Sequence, residues 1–234
     1  MQAIILAGGK GRRLLPYTTV LPKPMMPIGD FPIIEVIIRQ LIRDGFNDII
    51  ISTGYLDAII KAYIASQDFG AINIRFSTET TPLGTMGPLH LIDDLDECFL
   101  VINGDILTDI CFSSLYSLHQ KLKGVATIAT YKRDVYIDFG VIKSSDENKI
   151  IDFIEKPIYH FDVSMGIYLL NREVLTYIPK KEAFGFDQLM HILIENNADV
   201  VSILHDGFWL DVGRPDDYER AILEFEENFS RFLS

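Results

Sequence analysis

Cysteine is scarce: the 234 residues hold two, Cys98, followed by the apolar Phe99 and Leu100, and Cys111, between Ile110 and Phe112. Two thiols build no disulfide framework, and buried free thiols fit a reducing compartment. Positive charge is also in deficit, with 21 Lys and Arg against 33 Asp and Glu and a net charge of −12. An acidic surface repels phosphate backbones and anionic lipid, so neither nucleic acid nor a membrane is an expected partner. No apolar run reaches the roughly 18 residues of a membrane helix. The N-terminus, Met1-Gln2-Ala3-Ile4-Ile5-Leu6, lacks the basic stretch and cleavage site of a signal peptide. No Pro/Ser-rich linker and no internal repeat divides the chain. The five histidines show no ligand spacing, and the Phe and Tyr residues are scattered at core spacings rather than gathered into a platform for bases. These absences predict a soluble cytoplasmic protein, and 48% hydrophobic residues suffice for a sizeable core.

What is present is alternation. Residues 3–6 form a continuous apolar run that ends at Ala7-Gly8-Gly9, as a buried strand feeding a loop does. Helical spacing over 33–42, with Gly45 as a stop, predicts a helix. Strands are predicted over 49–52, 72–76 and 99–102, with helices over 57–65 and 87–92. This rhythm predicts βαβ units and a mostly parallel sheet covered on both faces, an α/β fold. The second half reads differently. Strand candidates crowd over 125–131, 140–143, 150–155 and 164–170 with few helices between them. They predict antiparallel additions to the same sheet, forming a lobe over its end. A helix over 186–195, strands over 200–204 and 208–212, and a helix from Asp216 complete the reading. The last helix sets Tyr218, Ile222, Leu223 and Phe225 on one side, suited to packing on the domain or to an oligomer contact.

In open α/β sheets the working loops lie at the carboxyl ends of the strands. The first such loop reads Leu6-Ala7-Gly8-Gly9-Lys10-Gly11-Arg12-Arg13-Leu14, followed by Leu21-Pro22-Lys23-Pro24. Three glycines let backbone approach a ligand, and four cations crowd the same turn, which suits a nucleoside triphosphate. A P-loop is excluded because Arg12-Arg13 follows Gly11 in place of Lys-Ser/Thr. The dinucleotide fingerprint is excluded because Leu14 stands where its third glycine belongs.

That segment resembles the signature of the sugar-1-phosphate nucleotidyltransferases, L-A-G-G-x-G-[TS]-R-L followed by P-K-P. Further pieces stand in the family's order: Glu79-Thr80-Thr81-Pro82-Leu83-Gly84-Thr85-Met86-Gly87, Asn103-Gly104-Asp105, Phe139-Gly140-Val141, Glu155-Lys156-Pro157, Met165-Gly166-Ile167-Tyr168 and Trp209-Leu210-Asp211-Val212-Gly213-Arg214-Pro215. The run Pro-Leu-Gly-Thr-x-Gly-Pro-Leu is most similar to the mannose-1-phosphate guanylyltransferase branch, with heptose-1-phosphate guanylyltransferases close behind. Arg12 is a departure, standing where the signature has Thr or Ser.

The resemblance implies a three-layer Rossmann-like nucleotidyltransferase fold, with a mostly parallel mixed central sheet and a small antiparallel sugar-binding lobe. It implies one domain over 1–234, with 1–110 mainly binding nucleotide and 111–234 mainly binding sugar phosphate and carrying the C-terminal helix. The implied reaction joins a sugar 1-phosphate to an NTP at the α-phosphorus and releases pyrophosphate. The nucleophile is a phosphate oxygen already ionised near pH 7, so no general base is needed. The task is to bring two anions together and stabilise the charge between them. By the resemblance Arg13, Lys23 and Asp105 are catalytic, with Arg13 bridging the triphosphate and Lys23 at the α-phosphoryl group. Leu6, Ala7, Gly8, Gly9, Gly11, Arg13, Glu79, Gly84 and Thr85 bind the nucleotide, with Glu79 and Gly84 against the base and Gly8 under the nucleoside. Gly140, Glu155, Lys156 and Gly166 bind the sugar phosphate, the two glycines by letting the sugar approach backbone. Asp105 and Asp211 hold Mg²⁺ as a hard-oxygen pair; an Asp in such a turn is otherwise a turn former.

GTP with mannose 1-phosphate is the leading substrate pair. The alternatives are heptose 1-phosphate with GTP, or glucose 1-phosphate with UTP, dTTP or CTP. A glycosyltransferase would carry an Asp-x-Asp pair, where Asn103-Gly104-Asp105 has one carboxylate; a non-catalytic nucleotide-sugar sensor would not need Arg13, Lys23, Asp105 and Asp211 together. Homodimers or homotetramers are the assemblies implied.

Overall fold

In a computed structural model, which describes residues 1–233, the apolar N-terminal run forms β1 (Gln2–Ala7). A short hairpin, β2 (Pro27–Ile28) and β3 (Phe31–Pro32), precedes α1 (Ile33–Arg43). Next come β4 (Asp48–Thr53), α2 (Asp57–Ser66), β5 (Asn73–Thr78), β6 (Cys98–Asn103) and β7 (Ile106–Thr108). After α3 (Phe112–Leu122) follow β8 (Ala126–Tyr136), β9 (Val141–Ser144), β10 (Ile150–Ile154) and β11 (Ile158–Asn171). The remainder is α4 (Phe186–Glu195), β12 (Val200–His205), β13 (Trp209–Asp211), α5 (Pro215–Glu227) and α6 (Phe229–Leu233).

Seven strands make the main sheet in the order β12-β8-β11-β6-β1-β4-β5. β1 lies parallel to β4 on one side and β6 on the other, with Leu6 level with Ser52 and Asn103. Only β11 opposes its neighbours β6 and β8, so the sheet is mixed but mostly parallel. Alternation along β1 sets the layers. Ala3, Ile5 and Ala7 share one buried cluster with Ile37 and Leu41 of α1, Phe112 of α3 and Phe225 of α5. Ile4 turns the other way, into a cluster with Leu189 and Leu193 of α4. Each buried Ile or Leu contributes about 1.5–3 kcal/mol of transfer free energy, and a one-residue slip would turn every one of them to the wrong face. Helices therefore cover both faces, and all the parallel strands deliver their carboxyl ends to one rim.

The expected antiparallel additions divide in two. The inner halves of β8 and β11 are buried in the main sheet, and their outer halves run beyond it as an exposed ribbon. A register shift between Ser164 and Tyr168 marks the departure. β9 and β10 pair only with each other rather than joining the sheet. α3 was not among the expected elements: Ser113, Ser114 and Ser117 dilute its helical pattern, yet Phe112, Leu115 and His119 form its buried stripe. The stretch expected as a helix over 87–92 is a 3₁₀ turn, Gly87–Leu91, opened by Pro88. Of the two thiols expected to be buried, Cys98 is, but Cys111 is exposed where it precedes α3. On α5, Ala221 and Phe225 face the core and Tyr218 packs against it, whereas Leu223 points to solvent at 60% exposure, against the expected side.

Candidate active site

A cavity of about 820 Å³ opens at the carboxyl rim of the sheet. Its walls are the segments that follow four parallel strands: Gly8 to Arg12 after β1, Gly54 and Tyr55 after β4, Glu79 to Thr81 after β5, and Gly104 and Asp105 after β6. The main chain binds these segments together, with Gly104 N–H donating to Leu6 O at 2.9 Å and Tyr55 N–H to Gly8 O at 3.3 Å. Gly11 is left-handed (φ 58°), and a Cβ there would stand 2.9 Å from Thr18 Cγ2 and 3.0 Å from Lys23 Cβ. Thr18 Oγ1 donates to Gly11 O at 2.9 Å, closing the loop. The 3₁₀ turn Arg12–Leu14 follows, pinned by Leu14, which is fully buried. Arg12 lines the cavity; Arg13 does not. The guanidinium of Arg13 instead lies near Gly213, whose Cβ position is 3.6 Å from Arg13 Nη2 and 3.4 Å from Asp211 Oδ1.

Glu79 makes one wall. Its Oε2 accepts from Leu83 N–H at 2.9 Å. Its Oε1 covers Gly8 and Gly54, where a Cβ would come within 2.6 and 2.9 Å of it. Gly84 (φ 75°) packs on the backbone of Phe184, and Thr85 Oγ1 accepts from Phe186 N–H at 2.8 Å, tying this wall to the start of α4.

At the cavity floor Lys23 and Asp105 meet, with Asp211 beside them just outside the walls. Lys23 opens a 3₁₀ turn (Lys23–Met25) between Pro22 and Pro24, which limit its backbone freedom. Its ammonium donates a short hydrogen bond to Asp105 Oδ2 and stands 3.6 Å from Asp211 Oδ1. The backbone fixes the two carboxylates side by side: β7 pairs with β13, Ile106 opposite Asp211, and Val212 N–H donates to Asp105 O at 2.9 Å. Burial raises the Asp105 carboxyl above the usual carboxylate range; Lys23 opposes the shift and Asp211 adds to it. Asp211 Oδ1 is buried with no hydrogen-bond partner. Two converging carboxylates, one with an orphaned oxygen, are a hard-oxygen donor set that fits Mg²⁺. Among the described residues no group of three or more His, Cys, Asp or Glu side chains is placed to hold a metal, so further ligands would be phosphate oxygens and water.

Of the residues expected from the sequence, Leu6, Ala7, Gly8, Gly9, Gly11, Lys23, Glu79, Gly84, Thr85 and Asp105 line this cavity. Arg13, Asp211, Gly140, Glu155, Lys156 and Gly166 lie outside its walls. Gly140 and Glu155 are neighbours, the Gly140 Cβ position being 3.2 Å from Glu155 Oε2, and Lys156 has a left-handed backbone (φ 44°). A Cβ at Gly140 would stand 2.5 Å from the Phe153 ring, and one at Gly166 (φ 72°) would meet the Asn103 side chain, so any larger residue at either position would displace the chain's own side chains. Asn103 lines the cavity, which connects Gly166 to its rim. Gly54, Tyr55 and Asn103 were missed as cavity residues, although each stands at the carboxyl end of a parallel strand, where the topology rule points.

A family model described as nucleotidyl transferase matches residues 2–228. The chain is 34% identical over 240 residues to a mannose-1-phosphate guanyltransferase of Kluyveromyces lactis, covering 99% of this chain and 66% of that protein. It is 36% identical over 228 residues to a mannose-1-phosphate guanyltransferase of Debaryomyces hansenii, covering 93% of this chain and 62% of that one. The chain thus spans just under two thirds of the length of these curated relatives. Among solved structures, a Bacillus anthracis protein assigned as a glucose-1-phosphate thymidylyltransferase, in complex with a sucrose, aligns with a TM-score of 0.76 at 25% identity, over 95% of this chain and 94% of that one.

Proposed function

The chain belongs to the nucleotidyl transferase family, and from that premise we propose that it transfers a nucleotidyl group from an NTP to a sugar 1-phosphate, with GTP and mannose 1-phosphate as substrates. The observation that carries this reading is the meeting of Lys23 and Asp105 at the floor of a glycine-walled cavity, with Asp211 3.6 Å from the same ammonium. An oxygen of the sugar phosphate attacks the α-phosphorus. The new O–P bond forms as the bond to the β-phosphate oxygen breaks, and pyrophosphate leaves with that electron pair. No proton need move, so a site of cations and metal-binding carboxylates without a base dyad is chemically sufficient. In this reading Lys23 supplies a donor for the α-phosphoryl oxygens, and Arg13, whose guanidinium lies near Gly213 and Asp211, supplies a second cation for the triphosphate. Asp105 and Asp211 would hold Mg²⁺, which supplies charge neutralisation on the phosphates when bound.

Glu79 supports guanine. Its Oε1 is an acceptor without a partner, and guanine offers two adjacent donors, N1–H and the N2 amino group, to a carboxylate. Uracil and thymine offer one N–H flanked by two carbonyls that a carboxylate repels. Both curated relatives carry guanyltransferase in their names, while the solved structure is assigned to thymidylyl transfer, so the base is the point to test. Every cavity residue lies at or before Asp105, which supports nucleotide binding by 1–110 and leaves the sugar phosphate to 111–234, around Gly140, Glu155, Lys156 and Gly166. The same reading puts the protein in the cytoplasm, as a homodimer or homotetramer, without nucleic-acid or membrane partners; no described helix is long and apolar enough to cross a membrane.

The test is pyrophosphate release with Mg²⁺, pairing GTP, CTP, UTP, dTTP and ATP with mannose, glucose and heptose 1-phosphates. Release restricted to GTP with mannose 1-phosphate is expected. Release with another pair would keep the reaction and replace the substrates, and silence from folded protein would overturn the reaction.

A further inference from the structure

We infer that Phe184 is the positioning residue of the base wall: it holds the 83–87 loop in place and, through Leu83, aims the Glu79 carboxylate at the base. A residue that lines no part of the cavity thereby helps to choose the nucleotide. This rests on the nucleotidyl-transfer reading and on Glu79 as its base-contacting group.

The 83–87 loop is bound by the segment that leads into α4. Phe184 N–H donates to Leu83 O at 2.9 Å, and Phe184 O accepts from Met86 N–H at 2.9 Å and from Gly87 N–H at 3.2 Å. Phe186 N–H, 101 positions along the chain from Thr85, donates to its Oγ1 at 2.8 Å. The two segments lie too close for a side chain between them. A Cβ at Gly84 would stand 2.6 Å from Phe184 O, and one at Gly87 2.8 Å from Glu182 O. One residue therefore donates once and accepts twice, and the place of the loop follows the place of the Phe184 backbone. That backbone is fixed by its own ring, which is buried in the cluster that holds Met86, Leu89 and Leu189. Phe184 itself does not line the cavity, so it acts by position and not by contact.

Leu83 carries this placement to the site. Its carbonyl is held by Phe184, and its N–H donates to Glu79 Oε2 at 2.9 Å. Among the described residues no other hydrogen bond reaches the Glu79 carboxylate, so this one sets its direction. Oε1 is left beside Gly8 and Gly54, where the base would lie. Hydrogen bonds weaken steeply as they bend. A carboxylate aimed at the two adjacent donors of guanine must keep both in line, whereas a single donor can follow a tilted oxygen. Loosening the loop therefore costs a base with two donors more than a base with one. The half of the chain assigned to the sugar phosphate thus takes part in reading the base.

The experiment measures pyrophosphate release with Mg²⁺ and compares kcat/KM for GTP with kcat/KM for UTP in the wild type, Phe184→Leu, Glu79→Gln and the double variant. Phe184→Leu should cut the GTP-to-UTP ratio about three- to tenfold, the effect of spoiling one hydrogen bond. The change should lie in KM with kcat kept, as for an interaction made equally in the ground and transition states. In the Glu79→Gln background the same substitution should leave the ratio unchanged, because the carboxylate it aims is gone. Thr85→Val removes the acceptor for Phe186 N–H at nearly constant volume, and it takes the place of Phe184→Leu in the same cycle if that variant does not fold. An unchanged ratio in the folded variant would overturn the inference and leave Phe184 a core residue. An equal fall in both backgrounds would also overturn it, by showing a disturbance that does not pass through Glu79. So would a wild type that does not favour GTP over UTP. Release by the wild type with any base upholds nucleotidyl transfer whatever the variants do, so the inference can then fail alone; silence from folded wild type fails both.

Discussion

Truncating Leu14 to alanine should damage stability and nucleotide binding together, whereas an equal truncation elsewhere in the core should damage stability alone. Leu14 is fully buried in the cluster beneath β1 and anchors the turn that carries Arg12 and Arg13. Leu→Ala changes at such positions cost about 2–5 kcal/mol. In a chain of this size each kcal/mol moves Tm by roughly 2–4 °C, so Leu14→Ala should melt roughly 5–15 °C lower. Leu193 is the control. It is equally buried, in the cluster on the opposite face of the sheet, near the end of α4. It stands seven residues from the start of that helix, about 10 Å along its axis from the end that Thr85 contacts. Leu193→Ala should lower Tm by a similar amount. Thermal melts followed by circular dichroism give the stability of each, and initial rates well below both melting points give KM for the nucleotide. Leu14→Ala should raise that KM by about an order of magnitude, because the loop loses its placement, and Leu193→Ala should leave it alone. Equal KM values in the two variants, or an unshifted Tm for Leu14→Ala, would refute the idea that one core side chain positions the loop.

Asp105→Asn should lower turnover by about two to three orders of magnitude yet raise Tm at pH 7. The sign follows from the raised carboxyl: its protonated form favours the native state, a contribution complete below the ordinary aspartate value of 3.8 and lost as pH rises through the native one. The Tm gap between Asp105→Asn and wild type should therefore shrink on acidification, and a gap independent of pH would contradict the buried-carboxylate account. Glu79→Gln keeps an acceptor for Leu83 N–H but replaces an oxygen by a donor, so kcat/KM for GTP should fall more than for UTP; an unchanged ratio would detach Glu79 from the base. Cys111 is exposed, and hydrogen bonds from Ser113 and Ser114 outweigh burial to hold its thiol below the usual range, while burial pushes the Cys98 thiol up. A thiol-reactive dye should thus titrate one cysteine in native protein and the second only on unfolding, with Cys111→Ser abolishing the native reaction.

The half of the fold around β1 was legible because each strand there keeps one environment along its length. Buried on both faces, β1, β4 and β6 read as unbroken apolar runs, and the glycines and cations after β1 announce a loop at their ends. β8 and β11 were caught only in part because each changes environment midway. The first half of β8 is buried in the sheet and the second half lies in solvent, so no single pattern spans the strand. α3 was hidden for a related reason, since three serines occupy its exposed face and only three residues mark its buried one.

For the site, local chemistry was legible and convergence was not. Lys23 lies 82 residues from Asp105, and Asp211 is farther still; it is the β7–β13 ladder that sets the two carboxylates beside one ammonium. Motif order suggested that these residues belong together, but only the ladder gives the reason they touch. Gly140 and Gly166 show the converse limit. A glycine in a motif signals that a Cβ is unwelcome, without saying whether a ligand or the chain's own Phe153 and Asn103 occupy the space. Arg12 and Arg13 carry the same lesson at the scale of a single turn. Adjacent in sequence, they read as one basic patch, and a count of charges treats them as interchangeable. The 3₁₀ turn parts them once Leu14 is committed to the core: Arg12 is on the cavity wall and Arg13 is not, its guanidinium lying near Gly213 and Asp211. Where the two arginines stand is therefore tied to the burial of one leucine, which is why truncating Leu14 should raise the KM for the nucleotide although it removes no charge.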